Sequence, residues 1–475
     1  MRRLAGFGLV IASIGAVALG TQACGDDTGD SSFIPPPGSK DGGGVGDENQ
    51  IILPKGDGSG GDTHQCVNLE CKQVACTGQG AGGKTTSISG IVYDPAGKNP
   101  LYNVVVYVNN APLTAITHGA TCDKCGSTLS GNPLVATLTD AAGHFSLANV
   151  PVQDGLSLVM QVGKWRRVIK IPTVTLCGDT AITDINQSRL ARRPAEFDPM
   201  DDIPQIAMTT GGADPLECLP RKIGIDDGQF TTNAGTGRVH MYQGAGGSQL
   251  KGGSPPVQPF WTSSTNLQKY DIVMLGCEGG THQENKGPTA MQAMYDYAEM
   301  GGRLFGSHFH YVWLESGVKE FPTTATFNHT DMPDPINGTI DTSFPKGQAF
   351  SDWMGNVKAL NGKDQFEINQ PRHDVDSVNM KTSVRWVYNT PENAVLYYSF
   401  NTPVPLPPDQ QCGKVVYSDL HVSSGDKTGG TFPNNCTTTN LSPQEKALEF
   451  MLFDLSSCIQ NDTQKPPDPP TPVPN

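Results

Sequence analysis

Near residue 200 the hydrophobic pattern of this chain changes period, and that change limits the folds open to it. Upstream, short β-branched runs alternate with turn residues. They are Ser87 to Tyr93, closed by Asp94-Pro95-Ala96-Gly97, then Val104 to Val108, Leu134 to Thr139, Phe145 to Leu147, Leu156 to Val162 and Arg166 to Ile171. Short strands at near-regular spacing predict an all-β sandwich over residues 64–200. Downstream, over 201–458, apolar runs alternate with stretches of helical spacing, which predicts an α/β domain on a parallel sheet. A length of 475 residues fits such a multidomain arrangement.

The ends of the chain read differently. Met1-Arg2-Arg3 and the apolar stretch Leu4 to Leu19 form a secretory signal, residues 1–23. Ala23-Cys24 with Gly25-Asp26-Asp27 behind it resembles the processing site of bacterial lipoproteins, which implies lipid attachment at Cys24 and a membrane anchor. The alternative is ordinary cleavage after Ala23, leaving Cys24 to a disulfide. Residues 25–63 hold eleven Gly and eight acidic residues against two Lys, a composition that cannot bury enough surface to fold. Residues 24–63 are therefore read as a flexible tether, and the Pro-rich stretch 459–475 as a disordered tail. The expected location is the bacterial envelope, outer membrane or cell surface, or otherwise the periplasm or medium.

Twelve cysteines suit an oxidising compartment. If Cys24 carries lipid, eleven remain, so one thiol is left over. A zinc cluster of Cys66, Cys71, Cys76, Cys122 and Cys125 is the competing reading, but the spacing suits disulfides better. A net charge of -14 argues against a nucleic-acid partner.

In the first half, "SGIVYDPAGKNPLYNVVVYV" and "TLTDAAGHFSLANVPV" resemble the carboxypeptidase regulatory-like, or transthyretin-type, domain. That resemblance implies a spacer or binding module. His118, Lys164, Trp165 and Arg166 would be its binding surface, unless Trp165 is buried and the charges form a solvated edge.

In the second half, Ile203 to Met208 and Val239 to Tyr242 read as strands, and Asp214-Pro215-x-Glu217 as the start of a helix shortened by Pro220. Three further motifs follow in order: "YDIVMLGCEGG", "GGRLFGSHFHYVW" and "GKVVYSDLHVS". The last helix begins with the capping box Ser442-Pro443-Gln444-Glu445. The set resembles the class I glutamine-amidotransferase-like fold, most closely its ThuA-like branch, and implies a flavodoxin-like parallel sheet. Residues 316–411 match no part of that pattern and read as an insertion. Counted from Gly306, His308 stands where an amidotransferase carries its nucleophilic cysteine, so glutaminase chemistry is not expected.

Ligands of parallel α/β sheets bind beyond the carboxyl ends of the strands. The three loops should therefore gather Cys277, Glu278, Ser307, His308, His310 and His421. One reading is a divalent metal, zinc first, on His308, His310 and His421, with Glu278 beside them. A second is acid–base or covalent catalysis, on glycan or amide substrates, by Cys277 with His308 or His421, or by Ser307 with His310 beyond it. His373-Asp374 would supply its orienting pair. The third is a binding site for a carbohydrate or envelope ligand, in which Phe309, Tyr311, Trp313 and Phe260-Trp261 stack on a sugar ring unless they are core.

Overall fold

A computed structural model describes residues 65–77, 84–127, 129–422 and 425–469. The signal, Cys24 and the whole of the tether lie outside them. Residues 63–475 form one unit, and no helix among the described residues is long and apolar enough to cross a membrane.

The first half forms seven strands: β1 (Ser87–Ile91), β2 (Val105–Asn109), β3 (Pro133–Leu138), β4 (His144–Ala148), β5 (Leu156–Val162), β6 (Trp165–Ile171) and β7 (Asp179–Ile182). They make a three-stranded sheet, β4-β1-β7, and a four-stranded sheet, β3-β2-β5-β6. Ile88, Phe145 and Leu147 of the first sheet share a core with Val106, Leu158 and Met160 of the second. β7 was not expected; its half-exposed sequence Asp179-Thr180-Ala181-Ile182 carries little periodic signal.

The second half is built on one ten-stranded sheet. Its strands are β8 (Ile206–Thr210), β9 (Phe230–Thr231), β10 (Val239–Gln243), β12 (Ile272–Leu275), β13 (Arg303–Ser307), β15 (Ile336–Ile340), β16 (Gln365–Ile368), β18 (Ser383–Asn389), β19 (Ala394–Thr402) and β20 (Gly413–Ser418). Two small pairs complete the set: β11 (Gln249–Leu250) with β21 (Thr431–Phe432), and β14 (Ala325–Thr330) with β17 (His373–Val378). The sheet order is β16-β15-β18-β19-β20-β13-β12-β8-β10-β9. From β20 to β9 every pairing is parallel, and from β16 to β20 every pairing is antiparallel. Residues 316–411 thus do more than interrupt the motif order. Four of their strands extend the sheet past β20.

Both faces of this sheet are covered, which is why its parallel strands read as unbroken apolar runs. Ile206, Met208, Ile272, Met274, Phe305 and Val416 face a core shared with the strands of the first half and with helix Pro443–Ser456. Ala207, Val273, Leu275, Leu304 and Val415 face the other way, toward helix Pro288–Glu299 and the indoles of Trp261 and Trp313. Helix Pro443–Ser456 is buried on nearly every side, as a helix between two layers must be. Its capping box forms as expected: Ser442 Oγ accepts from the Glu445 N–H at 3.3 Å, and Glu445 Oε2 accepts from the Ser442 N–H at 2.7 Å.

Among the described residues five disulfides are present: Cys66–Cys71, Cys76–Cys177, Cys122–Cys412, Cys125–Cys458 and Cys218–Cys436. They replace the zinc reading of the early cysteines and fit an extracellular or periplasmic protein. The stretch from residue 459 also departs from expectation. Ile459 is buried, and the buried Asp462 carboxylate meets Lys346 at 2.8 Å and Lys414 at 2.6 Å, so the solvated tail begins later.

Candidate functional site

The carboxyl ends of β12, β13 and β20 converge, and three side chains from the loops beyond them meet. Cys277 follows β12, His308 follows β13 and His421 follows β20. Their ligand-type atoms, one per residue, all lie within 4.8 Å of one another, and all three residues are buried. Cys277 Sγ is 3.2 Å from His308 Nδ1, and the imidazoles of His308 and His421 stand edge to face with centroids 5.1 Å apart.

His308 occupies a sharp turn. Ser307 is extended, whereas His308 has φ 42°, in the left-handed region that L residues avoid, and the chain then enters a short helix. A bulky residue in that conformation costs about 1–3 kcal/mol and is held there by its surroundings. The turn aims the imidazole at the Cys277 loop. That loop itself is reached closely by the one after β8: a Cβ on Gly211 would lie 2.1 Å from the Cys277 carbonyl oxygen, so only glycine fits there.

Burial sets the protonation of the cluster. It pushes the Cys277 thiol up to about 12, against the backbone N–H groups of Gly279 and Phe309, which favour the thiolate. It pulls His308 down to about 2 and His421 down to about 3, with the Arg372 guanidinium adding to both. Near neutral pH the cluster is therefore a thiol and two uncharged imidazoles rather than a thiolate–imidazolium pair. His421 is 2% exposed, and neither of its ring nitrogens has a hydrogen-bond partner among the described residues.

A carboxyl group stands behind His308. Asp374 Oδ2 lies 3.5 Å from His308 Nε2, and Asp374 Oδ1 lies 2.8 Å from His329 Nδ1. His329 in turn reaches Glu315 at 3.2 Å, both being partly exposed. The Tyr417 hydroxyl lies 2.9 Å from the His308 carbonyl oxygen, 3.0 Å from Asp374 Oδ2 and 2.7 Å from Asp419 Oδ1. Burial and the neighbouring Asp374 raise Asp419 well above the carboxylate range, so it holds a proton. Tyr417 and Asp419 were missed in the sequence. Their signal was the alternation Tyr417-x-Asp419-x-His421 running out of β20, which puts all three on one side of the extended chain.

Several expected members stand elsewhere. His310 is fully engaged: Nε2 donates to the Gly276 carbonyl at 3.0 Å and Nδ1 accepts from the Trp313 indole at 3.0 Å. It leaves the metal set, as its spacing of two from His308 suggested, and Cys277 takes its place. Glu278 is paired with the Lys286 ammonium at 2.6 Å and accepts from the Ala245 N–H, so it serves its own loop. The Ser307 hydroxyl donates to Asp214 Oδ2 at 2.6 Å and is no free nucleophile. Asp214 was expected to cap a helix. It is instead buried beneath β13, accepts also from the Val422 N–H, and is pushed by burial up to about 7, while the helix begins at Cys218. His373 turns to Asp376 and Thr330, so of the expected pair only Asp374 reaches the site.

The aromatics divide as well. Phe260, Trp261, Tyr311 and Trp313 are buried core, and only Phe309, with its ring 4.0 Å from that of His308, is half-buried beside the cluster. In the first half, His118 bridges Asp202 and Asp271 at 3.0 and 2.7 Å, Lys164 meets Asp271 at 2.8 Å, and Trp165 is buried against Phe453. Arg166 is buried too, donating to the carbonyls of Met200 and Thr114. His118, Lys164 and Trp165 thus join the two halves, the Arg166 side chain is spent within the first, and the four form no binding surface.

No family model matches the chain, and no curated protein does. Among solved structures it is similar to a putative ThuA-like protein from Bacteroides uniformis, with 10% identity and a TM-score of 0.28 over 46% of this chain and 80% of that one. It is also similar to a type II cohesin–X-dockerin complex from Acetivibrio cellulolyticus, an interface mutant, with 16% identity and a TM-score of 0.14 over 31% and 75%. Neither likeness is close enough to define the fold or an activity.

Proposed function

We propose that this chain is an exported envelope protein, anchored through lipid at Cys24. In this reading its second half takes up a carbohydrate or other polar envelope ligand at the carboxyl ends of β12, β13 and β20. The strand order β10-β8-β12-β13-β20, which is 2-1-3-4-5, supports a flavodoxin-like sheet of the ThuA-like kind. The two smaller sheets support a transthyretin-type sandwich acting as a spacer. The observation that carries the reading is the buried group of Cys277, His308 and His421 at the strand ends, where His308 sits in the strained elbow that would otherwise present a nucleophilic thiol. Amidotransferase chemistry has no place there.

A second reading, hydrolysis of a glycan or amide, is favoured by the pairing of Cys277 with His308 and by Asp374 behind it. Covalent attack by Cys277 is disfavoured by its raised pKa. Water activated by the cluster is the better route.

Panels of soluble glycans and peptidoglycan fragments, screened by thermal shift, test both readings. A ligand should raise the melting temperature of the wild type, and Phe309→Ala should weaken that rise about tenfold in ligand concentration. Under binding alone, His308→Ala keeps the affinity. Under hydrolysis, it abolishes product release seen by mass spectrometry. No response from any glycan or fragment would overturn the proposal.

A further inference from the structure

Cys277, His308 and His421, the group on which both readings above rest, also have the makings of a metal site. We infer that they are the three protein ligands of a zinc ion, with a fourth position left for water or substrate. The assignment deepens the hydrolytic reading above and rests on it for its use, though not for its existence.

Four observations carry it. First, the donor types are right: a sulfur and two imidazole nitrogens make a Cys-His-His set, and three protein ligands with one open position are the pattern of catalytic zinc. Secondly, the donors come from three different loops and still fall within 4.8 Å of one another, with Cys277 Sγ and His308 Nδ1 already at 3.2 Å. Two ligand atoms on one tetrahedral zinc stand about 3.3–3.7 Å apart, so a modest side-chain adjustment brings all three onto one ion. Thirdly, the His421 ring is 2% exposed with both nitrogens unpartnered among the described residues, beside a second imidazole and a thiol. Buried polar atoms are normally satisfied, and a metal would satisfy one of these. Fourthly, His308 presents Nδ1 toward Cys277 while its Nε2 faces Asp374 at 3.5 Å. A ligating histidine whose other ring nitrogen faces a carboxylate is the usual way its orientation is fixed.

The same geometry accounts for the left-handed turn at His308. Without that turn the imidazole would follow the strand and miss the Cys277 loop. His310, with both nitrogens committed, and Glu278, committed to Lys286, are excluded as ligands. The metal would supply a Lewis acid and lower the pKa of a bound water. This chain's residues would hold it, with Asp374 orienting His308.

The test uses the full chain, stripped by chelator and reloaded with zinc alone, then read by elemental analysis. About one equivalent should remain after desalting. Cys277→Ser and His421→Ala should each lose it, or weaken the affinity at least tenfold against a competing chromophoric chelator. His282→Ala, at a partly exposed loop histidine, should keep it. Loading with cobalt instead should give a thiolate-to-metal charge-transfer band that Cys277→Ser removes and His282→Ala does not. Because the wild type is measured directly, a misfolded variant does not rescue the inference. Folded wild type holding less than a tenth of an equivalent of zinc overturns it. Zinc bound without hydrolysis of any substrate keeps the site and removes the hydrolytic reading. Hydrolysis by the metal-free chain keeps the hydrolytic reading and takes the metal out of it, while zinc retention alone decides the site.

Discussion

Asp94 and Glu449 put two carboxyl groups in contact where the first half meets helix Pro443–Ser456. Both are buried, Glu449 Oε2 accepts from Asn99 Nδ2 at 2.6 Å, and one oxygen of each has no other partner, as expected of a pair that shares a proton. Burial pushes Asp94 up to about 6 from 3.8, and burial together with Asp94 raises Glu449 well above its usual range. Lys98 and Lys446 face the pair and only partly offset this. An acid whose pKa is raised on folding binds its proton more tightly in the folded state. The stabilisation is therefore complete below 3.8 and is lost as pH rises toward about 6. Thermal melts across that interval should show the wild type losing stability with rising pH, and Glu449→Gln should flatten the slope. An unchanged slope in the variant would remove the shared proton. The residue scale is also where sequence reading fell shortest. Cys277, His308 and His421 were legible because each ends a strand motif. His310, Glu278 and Ser307 sit in the same motifs, and only their hydrogen-bond partners, brought in from elsewhere in the chain, take them out of the site.

Among the elements, those with local signals were legible. β5 has the bounds its apolar run gave, β12, β13 and β20 lie within their motifs, and the capping box marks the last helix. What the sequence hid was long-range. β15, β16, β18 and β19 join the main sheet through antiparallel partners that no local pattern specifies, and β19 is buried at all nine positions, which erases the alternation that would mark its faces. Disulfide connectivity was hidden for the same reason, since eleven cysteines allow many pairings. Two of the bonds, Cys122–Cys412 and Cys125–Cys458, tie the loop after β2 to the second half across 290 and 333 residues. Replacing Cys125 and Cys458 together by Ser should lower the unfolding free energy by about 2–5 kcal/mol, read from denaturant melts. A loss well under 1 kcal/mol would mean that packing alone holds that loop.

At the scale of the whole molecule, the two halves read from the sequence as separate domains share a hydrophobic core. Tyr102 stacks on Phe450, Trp165 packs on Phe453, and Trp353 donates to the Pro100 carbonyl. Residues 64–200 produced alone would expose this surface. They should bind a hydrophobic dye and melt without a cooperative transition, whereas residues 64–475 melt cooperatively. A sharp melt of the shorter piece would show that the first half stands by itself.

The position of helix Pro443–Ser456 has one more consequence. It lies between two layers whose strands all precede it in the chain, and Lys222, Asn99 and Lys414 each bond to one of its carboxylates. A nascent chain cannot close either layer until this segment has been made. Everything upstream therefore sets into its final packing only once this last helix has been made.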